Sequence, residues 1–437
     1  MDHLTGIVKS LNMDGRRLQQ DLTAALCISA AVAALLLLVR SCATREQQSQ
    51  SWLKLRARSH DPEKSDDTGR FADQHLQAAS RPPGTWEPSS FKRPPATPYH
   101  DWSLTDTKPL PYRPFRLGPK YPITMGLRSM QWDDWIELDS DYLTYHATKA
   151  RRIAERGQRC CRTDPDPRVR DGAVELLEEL SSYLPERYPS MFTKTAVGVT
   201  NTITNEAFDT RDLTVNGVRE DPMQLSARLI QDDLAIMYER LDGQYYLLAG
   251  AILLPGFWRL EDKFGMTLSE IHTSGDVPQF EEKLEKGMRN FFRRVTPEKP
   301  VVRNNYFLQM DGDLAWSSSI GSEDNEGAGW GTAEVGTGVE GLHLRCERQS
   351  LRRLPRSGGV VFTIRTYFCP IVEMAEEKGV PGRLASAVRS WGEDVGGYKG
   401  REKYEKVLLE YLDRRHEEQV ADGLNVEGEE DARSYPW

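Results

Sequence analysis

The chain has 437 residues, a formal net charge of -9 and a pI near 5.6, which excludes the basic stripe of a nucleic-acid binder. Its six cysteines (Cys27, Cys42, Cys160, Cys161, Cys346, Cys369) form no C-x-x-C pair and no framework spacing. That excludes a zinc ribbon, a thioredoxin-type site and a disulfide scaffold, and reads as a reducing compartment for the soluble part.

From the N-terminus, the first element is the uncharged run Leu22 to Val39, bounded by Asp21 and Arg40. At about 1.5 Å per residue, a helix of this run nearly spans the roughly 30 Å hydrocarbon layer of a bilayer. A helix is also how a lone segment satisfies its backbone there. The run is longer than a signal-peptide core and starts late, although Ser41-Cys42-Ala43 resembles a small-residue cleavage site. Residues 1–43 therefore read as an N-terminal segment with one transmembrane helix at 22–39. Arg40, Arg45, Lys54, Arg56 and Arg58 outnumber Lys9, Arg16 and Arg17, which places the following domain on the cytoplasmic side.

Residues 44–120 are polar and then proline-rich, as in Arg81-Pro82-Pro83-Gly84 and Lys92-Arg93-Pro94-Pro95. Proline removes donors and fixes φ, so the stretch reads as a semi-extended spacer. Its later aromatics, from Trp86 to Phe115, predict packing along the domain surface. Residues 121–419 form the main domain. Asp139 to Arg156 and Asp171 to Leu184 read as helices. Pro222 to Arg240 reads as a stronger helix, started by Asp221-Pro222 and striped by Leu225, Leu229, Leu234, Ile236 and Met237. Tyr245 to Leu254, Pro300 to Met310 and Gly358 to Pro370 read as strands. Ser317 to Gly341 reads as a flexible loop between strands. Its Gly327-Ala328-Gly329-Trp330-Gly331 is no dinucleotide fingerprint, because no strand feeds directly into it and no helix follows. Tyr404, Val407, Leu408, Tyr411 and Leu412 mark a last amphipathic helix before an acidic tail at 420–437. This order predicts an α+β domain around an antiparallel sheet.

The sequence holds no P-loop, no H-E-x-x-H and no G-x-S-x-G. Cys160-Cys161 reads as a surface pair. Polar groups in apolar surroundings recur in three places: Lys263 to His272, Arg303-Asn304-Asn305-Tyr306, and Leu342 to Tyr367. Alternation in the last strand places Thr363, Arg365 and Tyr367 on one face and Phe362, Ile364 and Thr366 on the other. A buried Arg365 needs an anion, either a carboxylate of the fold, the commoner arrangement, or a ligand group such as a propionate. On residue type alone, a single histidine in a strand-turn region, such as His272, is more often structural.

These segments resemble the haem-dependent oxidative N-demethylase α-subunit family. The resemblance is carried by Met125-Gly126-Leu127, Trp135-Ile136-Glu137-Leu138-Asp139, Tyr183 to Pro189, Gln231-Asp232-Asp233-Leu234, Trp258 with Lys263-Phe264-Gly265, Ile271-His272, Arg303-x-Asn305-aromatic and the block Arg345 to Tyr367. Tyr306 stands where the family often has tryptophan. Extra residues separate His272 from Val277-Pro278, and the Gly-rich insert and N-terminal segment are additions. The resemblance implies a PAS-like fold and a haem b whose iron is bound through a histidine, matched here by His272, with His343 as runner-up. It implies Arg303 and Arg345 as further cofactor-binding residues, and Glu347, Arg365 and Tyr367 as catalytic candidates. The implied reaction is monooxygenation of an amine or other small organic molecule, in the amine case releasing amine and aldehyde. The sequence has no flavin, nicotinamide or iron–sulfur motif, so electrons would come from a separate NAD(P)H-dependent reductase. The alternatives are a PAS-like haem or small-ligand sensor without turnover, and a scaffold that has lost the cofactor.

Overall fold

Seven strands pair antiparallel into one sheet: β1 (Arg128–Ser129), β2 (Cys161–Thr163), β3 (Asp233–Glu239), β4 (Tyr245–Ala251), β5 (Val301–Gln309), β6 (His343–Arg353) and β7 (Val360–Pro370). Their spatial order is β1-β5-β6-β7-β3-β4-β2. The β3–β4 hairpin and the β5–β6–β7 meander are joined because β7 pairs with β3. The helices that cover the sheet are α1 (Tyr142–Arg156), α2 (Pro167–Arg187), α3 (Pro222–Leu229), α4 (Leu268–Thr273), α5 (Glu285–Arg294), α6 (Val380–Arg389), α7 (Glu393–Tyr398) and α8 (Glu405–Ala421). The computed structural model describes residues 81–115, 118, 121–215 and 218–424. The uncharged run at 22–39, residues 44–80 of the proline-rich stretch and the tail beyond 424 lie outside them. Among the described residues, no helix is long and apolar enough to cross a membrane. The α+β reading and the antiparallel sheet agree with the sequence.

Register divides the sheet into two faces. Arg303 pairs with Gln349, Asn305 with Glu347 and Phe307 with Arg345. Glu347 pairs with Thr366 and Arg345 with Phe368. These side chains share what we call the front face, and their sequence neighbours point to the back. The back face is closed by α1, α2 and α3, whose Tyr142, Leu176, Leu180, Leu225 and Leu229 pack with Leu234, Ile236, Tyr238 and Val361. Toward β5 it is closed by α6 and α8 against Tyr306, Leu308 and Leu344. The front face is covered at its β3–β4 side by α4, α5 and the turn at Phe280, which pack on Met237, Leu247, Leu351 and Val360.

Four expectations need correction. The helix begun at Asp221-Pro222 forms, with Asp221 accepting from the Met223 amide at 2.8 Å, but it ends at Leu229. Its stripe would continue at 232 or 233, and both are aspartates. The residues that follow alternate instead, Leu234, Ile236 and Tyr238 to the back core and Ala235 and Met237 to the front, and form β3. Second, residues 81–115 have no regular structure, as their prolines dictate, and their aromatics pack on the domain as expected, so this part of 44–120 is not a spacer. The Trp86 indole donates to the Pro355 carbonyl at 3.0 Å and that of Trp102 to Leu138 at 2.9 Å. Arg93 meets Glu186 at 2.6 Å, and Trp102, Tyr112 and Phe115 are buried. Third, the insert at 317–341 is fastened rather than loose. Arg152 of α1 grips Glu323 through two hydrogen bonds of 2.7 Å, and Arg159 meets Asp324 at 2.7 Å. Fourth, Cys160 and Cys161 are buried, not a surface pair.

Candidate functional site

On the front face, Arg303, Asn305 and Phe307 of β5 and Phe362 and Phe368 of β7 are half-buried, while back-face Tyr306, Leu308, Arg365 and Tyr367 are buried. Burial is nevertheless the leading cause of the pKa shifts of Arg303, His272 and Tyr398. Groups that keep accessible surface while remote from bulk water line a concavity. Glu347 sits in it, accepting from Gln349 Nε2 at 2.9 Å. Burial raises its pKa against the opposing pull of Arg345, Gln349, Arg303 and Lys399.

The two arginines beside Glu347 differ. Arg345 is fully buried and gives its donors to the carbonyls of Leu314, at 2.9 Å, and Leu254. The backbone of Gly256 lies against it; a Cβ there would stand 2.7 Å from its Nε. Its Nε is 4.0 Å from Glu347. Arg345 therefore ties two loops to β6 and orients Glu347, with little left to offer a ligand. Arg303 is the opposite case. Its Nε, like that of Arg345, is buried without an acceptor, but no carboxylate lies within ion-pair distance of its guanidinium among the described residues. A desolvated guanidinium in that state is a seat for an anion.

His272 lies in the last turn of α4, not in a strand-turn segment. Thr267 and Glu270 form a capping box that starts this short helix. The His272 ring stacks on Phe280 with centroids 4.8 Å apart. Its Nδ1 lies 2.7 Å from the Leu268 carbonyl. A carbonyl only accepts, so Nδ1 carries the proton and Nε2 keeps its lone pair, the state that binds a metal. Burial, then the charges of Arg303 and Lys263, act to lower its pKa and keep the ring neutral. His343, the runner-up, starts β6 at the far end of the same face. Its Nδ1 lies 2.9 Å from the Gly341 carbonyl and its ring stacks on Phe368 at 4.6 Å. Among the described residues no group of three or more His, Cys, Asp or Glu could hold a metal ion by itself.

The three catalytic candidates, Glu347, Arg365 and Tyr367, do not share a face of the sheet. Arg348 pairs with Arg365 and Cys346 with Tyr367, which puts both on the back face. Arg365 is ion-paired to Asp139 at 2.5 Å, and Asp139 also accepts from Gln231 at 2.9 Å. Tyr367 donates to Glu137 at 2.5 Å, and Glu137 meets Arg348 at 3.1 Å. Arg365 thus has the structural partner that its type demanded. Two front-face neighbours escaped the sequence reading. Tyr398 packs its ring 5.7 Å from Phe307, and burial beside Glu347 pushes its pKa up to about 12. Lys399 is buried, donates to the Tyr306 carbonyl at 2.5 Å and lies 4.3 Å from the Phe307 ring. Burial lowers it to about 7, against the pull of Glu347. The only signal was Gly396-Gly397-Tyr398-Lys399-Gly400, a close-packed turn around two polar side chains.

A model of the family described as haem-dependent oxidative N-demethylase, alpha subunit-like, matches residues 126–409, well over half of the chain. That description points to oxidative chemistry, to haem and to a subunit that works with a partner. The free Nε2 of His272 and the unpaired guanidinium of Arg303 fit such a group.

Proposed function

Because the chain belongs to the haem-dependent oxidative N-demethylase, alpha subunit-like family, we propose that it is a haem-dependent monooxygenase. It would bind haem b on the front face and oxidise an amine or other small organic molecule. The observation that carries this reading is His272, with Nδ1 engaged by Leu268 and Nε2 free, on the concave side that also holds Arg303. Haem supplies oxygen activation when bound. His272 would hold its iron and Arg303 would neutralise a propionate. Glu347 would receive the substrate ammonium, since a carboxylate raised by burial gains most from a cation brought to it. Arg345 and Gln349 fix the direction of that carboxylate. Lys399 can hold or release a proton at Nζ near neutral pH. Phe307, Phe362 and Phe368 would limit water around these groups. An antiparallel sheet in which β7 returns to pair with β3, with short helices over one face, supports the PAS-like reading. Electrons would come from a separate NAD(P)H-dependent reductase. The run at 22–39 would anchor the chain to a membrane with the catalytic domain on the cytoplasmic side.

The test is the absorption spectrum of the purified protein and of two variants. His272→Ala should lose or shift the haem band while remaining folded, and His343→Ala should retain it. If His343→Ala abolishes the band while His272→Ala leaves it unchanged, the ligand assignment is wrong. Aldehyde release from methylated amines, with oxygen and a reductase supplied, tests the reaction. Reducible haem without oxygen consumption on any amine would refute it.

A further inference from the structure

The insert between β5 and β6 reaches the site through a chain of aromatic rings. Trp330, near its middle, packs 5.4 Å from Phe257. Phe257 lies 5.5 Å from Phe307, and Phe307 lies 5.7 Å from Tyr398. Phe307 is the front-face residue next to Asn305, which is paired with Glu347. All four rings are half-buried although they touch one another. Trp330 has a built seat. Gly400, at φ +68°, leaves room for it, and a Cβ there would fall 2.1 Å from the indole. The insert is pinned at Glu323 and Asp324 by Arg152 and Arg159, and the Trp330 ring also packs edge-on against Tyr404 at 6.1 Å. Large rings in contact, each with surface left over and a buried carboxylate alongside, describe a site with an apolar end and a single anionic end.

We propose that Phe257 and Phe307, backed by Trp330, form a specificity wall that seats an apolar substituent of the substrate, so that the substrate is a hydrophobic amine, aryl- or alkyl-bearing, whose ammonium meets Glu347. This deepens the proposed function and rests on it. Charge complementarity to Glu347 selects the ammonium end. The aromatic faces add cation–π attraction and apolar burial for the remainder. Trp330 acts through Phe257 and is a positioning residue.

The experiment titrates full-length haem-loaded protein by calorimetry with dimethylamine, N,N-dimethylbenzylamine and neutral benzyl methyl ether. Wild type should bind the benzylamine at least about tenfold more tightly than dimethylamine, the order expected for burying one ring. Trp330→Ala should lower that preference about tenfold, leave dimethylamine binding unchanged and keep the haem spectrum, while Trp330→Phe retains most of it. Phe257→Leu is the second variant should Trp330→Ala not fold, and it should lose the same preference. Equal binding of the two amines by wild type, or an unchanged preference in both variants, overturns the proposal. Loss of the haem spectrum in Phe257→Leu also overturns it, by assigning the wall to the cofactor. Trp330-dependent binding of the ether with no amine binding supports the wall and overturns the amine reading beneath it.

Discussion

Starting the chain at Tyr121 rather than at Arg81 removes the irregular strap that includes residues 81–115 and should unfold the domain. The strap contributes Trp102, Tyr112 and Phe115, which are 5 %, 3 % and 2 % exposed. Burying a large apolar side chain is worth roughly 1.5–3 kcal/mol, so these three contribute roughly 5–9 kcal/mol. Native domains are stable by only about 5–15 kcal/mol. The loss also reaches the back-face network. Tyr112 donates to Glu137 at 2.7 Å and packs 5.0 Å from the Tyr367 ring, so its removal exposes the Tyr367–Glu137–Arg348 cluster. Arg93 and Arg113 leave Glu186 and Glu377 without their ion pairs. Urea unfolding followed by tryptophan fluorescence and near-ultraviolet dichroism should show one cooperative transition for the chain from Arg81. The chain from Tyr121 should show none, or an early one. A cooperative transition of the shorter chain within about 2 kcal/mol of the longer would refute the reasoning, since that is the worth of only one buried ring.

Arg365→Met should cost about 3–5 kcal/mol in chemical denaturation, because it leaves the Asp139 carboxylate buried without its cation. It should leave haem content per folded molecule unchanged, because Arg365 lies on the back face. Glu347→Gln should weaken amine binding roughly ten- to a hundredfold in calorimetry while the haem spectrum persists, the range expected for one charged hydrogen bond. Lys399 carries a pH signature. Its folded pKa, about 7, lies below its ordinary 10.5, so between those values the unfolded chain binds more protons and stability rises with pH. Arg303 and Glu347 are the charges that face it. In Lys399→Met this rise should disappear, with the variant gaining most below pH 7 relative to wild type. Parallel melting-temperature profiles of the two proteins from pH 6 to 10 would refute the assignment.

The legible parts of this fold are those fixed by local spacing. The strands at 245–251, 301–309 and 360–370 and the helices at 142–156 and 167–187 follow from periods of two and 3.6 within one segment. The Asp221-Pro222 start was legible for the same reason. The end of that helix was not, because Leu234, Ile236 and Met237 are apolar enough to prolong a stripe when the aspartates at 232 and 233 are not weighed against it. That residues 81–115 pack on the domain was legible from their aromatics, but their partners, and the fastening of the insert, were not, because proline, glycine and charge describe a segment's own conformation. They do not say that Trp86, Trp102 or Glu323 has a partner far along the chain. The division of the site has a sharper cause. Alternation correctly grouped Thr363, Arg365 and Tyr367 with one another. Which residues of β6 join them depends on the hairpin register, which the chain reversal between Arg353 and Val360 sets. Arg353 pairs with Val360, so odd-numbered residues of β6 share a face with even-numbered residues of β7. Glu347 therefore faces with Thr366, and Arg348 with Arg365. A register shift of one residue between the two strands would reverse that assignment and put Arg365 on the face of Glu347. The position of the reversal, more than the composition of either strand, decides which arginine is available to a ligand.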